Sequence, residues 1–196
     1  MSGMNQPLLE RLQSAWTTSF LLRWTLANVL GWTAGLYLIA WSFSTPVFCL
    51  GGGLAGVIVG AAQWTVLRRE YFLSSRTENE QSALTGNWIV LSAIGGLLGL
   101  LPAMVAGLLV TFGWGVGIAL VGGALGAGIG IGQWFRLNGH MGRAGWWILA
   151  NVGGGAACAL LTLAPLIRGL PLGLLIGTAV YGYVTGRALA WLQTQE

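Results

Sequence analysis

Six apolar runs constrain this chain's fold more than anything else in it, because each is close to the ~20 residues a helix needs to cross about 30 Å of hydrocarbon. They lie near Trp24 to Trp41, Cys49 to Leu67, Trp88 to Val110, Gly115 to Phe135, Trp147 to Leu166, and Leu170 to Leu189. Periodicity does not place their ends, since faces toward lipid and toward protein are both apolar in a membrane. Punctuation does: Ser-Phe-Ser-Thr-Pro at 42–46, Thr-Phe-Gly-Trp-Gly at 111–115 and Arg-Gly-Leu-Pro at 168–171 read as short turns, pairing the runs into hairpins. Pro102 falls inside the third run and predicts a kink or an early end there. Only 7% of the 196 residues are charged, against roughly 25% in a soluble domain, so the chain could not cover its own surface in water.

The expected organisation is an N-terminal segment (1–23), a first hairpin (24–69), a polar connection (70–87), a second hairpin (88–137), a short connection (138–146), a third hairpin (147–191) and a tail (192–196). The first 23 residues hold Glu10, Arg11 and Arg23 with no unbroken apolar stretch, so they do not read as a secretory signal. Leu8, Leu12, Trp16 and Phe20 recur every fourth residue there. That spacing fits either a helix lying in the interface or an extension of the first span.

All nine basic residues are arginine and all five acids are glutamate, which excludes Schiff-base lysines, P-loop phosphate binding and paired aspartates. Arg11, Arg23, Arg68, Arg69, Arg76, Arg136, Arg143 and Arg187 fall at the N-terminus, the longer connections and the C-terminal end, whereas Arg168 alone falls in a short turn. This eight-to-one bias predicts cytoplasmic termini in a bacterial inner membrane or its equivalent. The net charge of +4 is then topological, and no nucleic-acid partner is expected.

An internal repeat runs through the hairpins. The first helix of each carries a tryptophan, a small polar residue four later, and small residues three and seven beyond that: Trp24, Asn28, Gly31, Gly35; Trp88, Ser92, Gly95, Gly99; Trp147, Asn151, Gly154, Cys158. Second helices carry Gly53, Gly56, Gly60, Gln63, Trp64 and Gly123, Gly126, Gly130, Gln133, Trp134. In the third copy Leu170 replaces the first glycine, Gly173 and Gly177 keep the next two, and Val180 and Tyr181 stand at the Gln and Trp positions. The glycines read as helix-packing stripes, because close approach and interhelical hydrogen bonds hold helices together in lipid. The expected fold is an all-α membrane protein of six transmembrane helices, arranged as three repeated hairpins in a pseudo-threefold bundle.

Asn28, Gln63, Ser92, Gln133 and Asn151 share a depth and would form a polar tier, either joining hairpins or lining a pathway. Trp24, Trp64, Trp88, Trp134 and Trp147 read as interface anchors. Cys49 and Cys158 fit small buried residues rather than a disulfide, and His140, the only histidine, stands in a connection. No metal or cofactor is expected.

At Gly56 to Arg68 and Trp24 to Gly31 the chain resembles a set of uncharacterised bacterial multipass membrane proteins, especially from photosynthetic species, with the same Gly-x-x-x-Gly-x-x-Gln-Trp and Trp-x-x-Ala-Asn-x-x-Gly segments. The resemblance implies a multipass helical fold and brings no activity with it. Three functional classes compete. A non-catalytic scaffold binding the bilayer, other membrane subunits or pigments demands the least chemistry. A channel or facilitator for a small neutral solute would use the polar tier. An intramembrane enzyme lacks a nucleophile with its base, and metal ligands.

Overall fold

The computed structural model describes residues 6–42, 48–73, 87–108, 113–139, 141–163 and 171–195. These form helices α1 (Gln6–Ser42), α2 (Phe48–Leu73), α3 (Trp88–Leu108), α4 (Trp114–Leu137), α5 (Gly145–Leu163) and α6 (Pro171–Gln193), with no strand among the described residues. Most of each short turn, the side chains of Leu8, Leu12 and Trp16, and His140 lie outside the described residues.

Among the described residues, five segments are long and apolar enough to cross a membrane: Leu50–Arg69, Trp88–Leu108, Gly115–Leu137, Gly145–Thr162 and Leu172–Gln193. The run in α1 is not among them. Trp24, Asn28 and Trp32 lower its hydropathy, but all three are buried, so the polar atoms of these three face protein. Leu22, Leu26 and Leu30, each four residues after the last, project outward instead. At 1.5 Å per residue, the 37 residues of α1 make a helix of about 55 Å. From Gln6 onward the N-terminal segment and the first apolar run form one continuous helix.

Pro102 does not end α3, which runs on to Leu108. Gly99, Leu100, Ala103 and Ala106 on either side of it are buried, so packing holds the helix together where proline removes a backbone donor.

Each helix packs on its predecessor and its successor, and α6 packs back on α1, closing a ring. Large apolar side chains such as Leu30, Leu98, Val105 and Val116 cover its outside. Inside, two clusters fill the ring. At the end carrying the long connections, Trp24, Trp88 and Trp147 meet Leu67, Leu137 and Leu189, with Met141 and Ala144 of the 138–144 connection folded beneath. Nearer the short turns, Val59, Ile129 and Tyr181 meet Trp32 and Cys158.

The small residues set these crossings. A Cβ added to Gly31 would lie 3.0 Å from the Cα of Val59, and one on Gly35 equally close to Ala55. Gly95 and Gly99 face α4 in the same way, Gly154 faces Tyr181, and a Cβ at Gly177 would lie 2.6 Å from the Cys158 carbonyl. These contacts join the two helices of each hairpin. Between hairpins, Gly56 and Gly60 face Ser92, while Gly126 and Gly130 face Asn151. Gly53 and Gly123 are looser than their places in the stripe predict, with 3.7 Å and 3.6 Å left for a Cβ. Their neighbours Gly52 and Gly122 make the close contacts, against the carbonyl oxygens of Gly96 and Gly155. Gly173 is buried.

Adjacent glycines therefore make a discriminating pair. Gly52→Ala forces a methyl to within 2.6 Å of a backbone oxygen and is expected to lower stability by about 1–3 kcal/mol. Gly53→Ala, with ordinary contact distance available, should be neutral or should stabilise by up to ~1 kcal/mol through helix propensity. Thermal unfolding of both variants in mild detergent measures the difference, and equal midpoints would remove the close-packing account.

Candidate functional site

Local spacing begins the site. In Trp-x-x-x-Asn the amide of Asn28 donates back to the Trp24 carbonyl at 2.8 Å. Asn151 does the same to Trp147 at 2.9 Å, and Ser92 Oγ to Trp88 at 2.8 Å. One bond within its own helix thus orients each side chain and leaves an oxygen free to accept from elsewhere.

The second helix of the hairpin supplies that donor. Gln63 Nε2 donates to Asn28 Oδ1 at 2.8 Å, and Gln133 Nε2 to Ser92 Oγ at 2.8 Å. In the third hairpin the hydroxyl of Tyr181 donates to Asn151 Oδ1. The glutamine oxygens then accept from the next hairpin: Trp88 Nε1 donates to Gln63 Oε1 at 3.1 Å, and Trp147 Nε1 to Gln133 Oε1 at 3.1 Å. The circuit closes when Trp24 Nε1 donates to Thr185 Oγ1 at 3.0 Å. A further bond of 2.6 Å from Gln133 Nε2 to Gln63 Oε1 links the two glutamines directly.

Asn28, Gln63, Ser92, Gln133 and Asn151 are all brought together, fully buried, in this network. Two members, Tyr181 and Thr185, are missed by the sequence register. Gly60 faces Ser92 and Ile89, Gly130 faces Asn151 and Ile148, and Gly182 faces Asn28 and Thr25. By contact, Gly182 takes the place of Gly60 and Gly130, so Thr185 stands at the glutamine position, five residues beyond Val180. The third hairpin thus divides the work of one glutamine, with Tyr181 donating within the hairpin and Thr185 accepting from the next. The usable sequence signal was the small residue three positions before the polar one, Gly182 before Thr185, which the longer glycine stripe obscured.

The tryptophans divide into two groups. Trp24, Trp88 and Trp147 are fully buried and do not anchor the protein to an interface. Their rings meet at the centre, Trp24 and Trp88 lying 6.1 Å and 6.2 Å from Trp147 between centroids. The reason is the indole N–H: an amide or hydroxyl on the neighbouring helix satisfies it, so the ring needs no water. Trp64 and Trp134 are half-buried, and the guanidinium of Arg68 lies 5.1 Å over the Trp64 ring, a cation–π contact.

The chemistry here is neutral. Amides, hydroxyls and indoles donate and accept among themselves, with no charged group in the circuit. Among the described residues no group of His, Cys, Asp and Glu is arranged to hold a metal ion.

Removing one member should leave its partners unsatisfied. Gln63→Leu strands Trp88 Nε1 and Asn28 Oδ1 and is expected to cost about 1–3 kcal/mol. Because Gln63 and Gln133 touch, the double change to leucine should cost less than the two single changes added together, by roughly 0.5 kcal/mol or more. Unfolding of the four proteins in mixed micelles measures this coupling; strict additivity would mean that the two amides act separately.

Comparison with family models, with curated proteins and with solved structures finds no match to this chain.

Proposed function

We propose that this is a non-catalytic membrane scaffold, a closed ring whose interior is devoted to its own integrity and whose apolar outside binds lipid and other membrane subunits or pigments. The observation that carries the reading is the hydrogen-bond circuit. Each amide of the tier is engaged in joining helices, and the three central indoles with Leu67, Leu137 and Leu189 fill the axis beside it. A pathway lining would instead present free polar groups to a passing solute. The same features argue against an enzyme, since nothing in the tier titrates near neutrality or is activated as a nucleophile.

The reading includes six spans. The outward Leu22, Leu26 and Leu30 and its place between α2 and α6 support α1 as the sixth. It also includes three repeated hairpins about a pseudo-threefold axis, supported by the threefold recurrence of the Trp, small-polar and acceptor contacts. The arginine distribution supports cytoplasmic termini and residence in a bacterial inner membrane.

Two experiments test this. In a Cys-free background, an impermeant thiol reagent added outside intact cells should modify Ser44→Cys and spare Ser82→Cys, and the opposite result would invert the topology. Reconstituted vesicles should show no protein-dependent flux of water, glycerol or small ions. Flux that disappears in a still-folded Gln63→Leu/Gln133→Leu variant would replace the scaffold with a channel.

A further inference from the structure

The third joint of the ring is built differently from the other two. Where α2 crosses α3, Gly52 meets Gly96, and where α4 crosses α5, Gly122 meets Gly155. Each pair is placed alike: the first glycine lies eight residues before Gly60 or Gly130, and the second four residues after Ser92 or Asn151. The same counts from Gly182 and Asn28 give Leu174 on α6 and Trp32 on α1. At the Gly56 and Gly126 position the third joint has Thr178. Three side chains therefore occupy a crossing that elsewhere has none, and these helices cannot approach as closely as the glycine pairs do.

A cavity of about 350 Å³ lies on the short-turn side of the polar circuit, between this joint and the crossing of α4 with α5, whose Gly122 and Gly155 also line it. Leu174 and Trp32 form part of its wall, with Leu36, Leu125, Cys158 and Thr162. Tyr37, 66% exposed, stands at its edge, so the space communicates with the surface beside α1. The wall is almost wholly carbon. Two buried polar atoms with no well-aligned hydrogen bond belong to it: Nε1 of Trp32, whose side chain is 5% exposed and packs edge-on against the Tyr181 ring, and Oγ1 of Thr162. Trp32 is alone among the described first-helix tryptophans packed in the interior in having an unpaired indole N–H, since Trp24, Trp88 and Trp147 all donate.

We propose that this cavity binds a lipid-borne alkyl chain that presents one carbonyl oxygen to Trp32 Nε1. Size, lining and the unpaired donor agree on that class. A cavity of ~150 Å³ lined by aliphatic side chains already takes a benzene-sized molecule, so 350 Å³ holds a chain segment on the order of ten heavy atoms. Water fills such a space poorly, because each molecule needs two to four polar partners and nearly all of the wall is carbon. The donor N–H wants an acceptor, which a pure hydrocarbon lacks. Acyl esters of membrane glycerolipids and prenylquinones both carry the required tail and carbonyl. The cavity shares Tyr181 with the polar circuit, but the proposal does not rest on the scaffold reading, which would survive its loss.

The test uses the full chain reconstituted in nanodiscs with trace diazirine-labelled lipid, in one arm a phospholipid with the label on an acyl chain and in the other a tail-labelled prenylquinone. After photolysis, peptide mass spectrometry maps the adducts. Wild-type protein is expected to carry adducts on cavity residues such as Leu125, Cys158 or Leu174 in at least one arm, and the arm that labels identifies the source. Labelling in both would mean that tail and carbonyl suffice. Trp32→Phe keeps the ring and removes the donor, and should weaken labelling about fivefold, the loss of one net hydrogen bond. Leu174→Trp should fill the space and abolish cavity adducts while outward positions such as Leu98 still label. Wild-type adducts confined to the outer surface in both arms would overturn the proposal without recourse to any variant. Labelling unchanged in Trp32→Phe would overturn the carbonyl contact.

Discussion

A polar group in hydrocarbon has no water to fall back on, and that constraint organises this protein. Asn28, Gln63, Ser92, Gln133 and Asn151 are buried where an unpaired amide or hydroxyl costs about 1–3 kcal/mol. Their partners lie on other helices, so satisfying them requires the helices to be in one arrangement and no other. Each individual bond is modest, about 0.6 kcal/mol on average in membrane proteins. The closure of the circuit matters more than its sum: Trp24 of the first helix reaches Thr185 of the last, so a slip at any joint leaves donors unpaired around the ring.

Glycine makes that circuit reachable. Side chains as short as asparagine and serine bridge two helices only where the backbones nearly touch, and the close contacts of Gly31 with Val59, Gly95 with Gly128 and Gly154 with Tyr181 hold those helix pairs there. Packing and hydrogen bonding are thus one device. The three central indoles complete it, giving bulk to the axis while their N–H groups donate outward to the neighbouring hairpin. At the third joint Leu174, Thr178 and Trp32 stand in place of small residues, and Leu174 and Trp32 line the cavity beside the circuit.

Much of this was legible in the sequence, and for identifiable reasons. Apolar runs set by bilayer thickness announce the helices. A tryptophan followed four residues later by Asn28, Ser92 or Asn151 announces one helical face, because a side chain can bond the carbonyl one turn back whatever its tertiary surroundings. The depth shared by these residues with Gln63 and Gln133 follows from rise per residue alone.

Ring closure decided the rest. Hydropathy does not distinguish Trp24, which meets Trp147 of α5 and Thr185 of α6, from an interface tryptophan, because the difference lies in whether Thr185, far along the chain, offers an acceptor. Nor does a string of glycines reveal which of Gly52 and Gly53 meets a backbone; a rotation of about 100° between successive residues separates them, and its absolute phase is set by the neighbouring helix. The third hairpin shows the limit most plainly. Its glycines align best by letter in one register, while its contacts use another that puts Thr185, not Val180, against Trp24. The sequence by itself determined the helices, their depth and the residues that must find partners, since those follow from single-helix geometry in an apolar solvent. Tertiary structure alone decided which partner each one finds, because in a closed ring the last helix is positioned by the first.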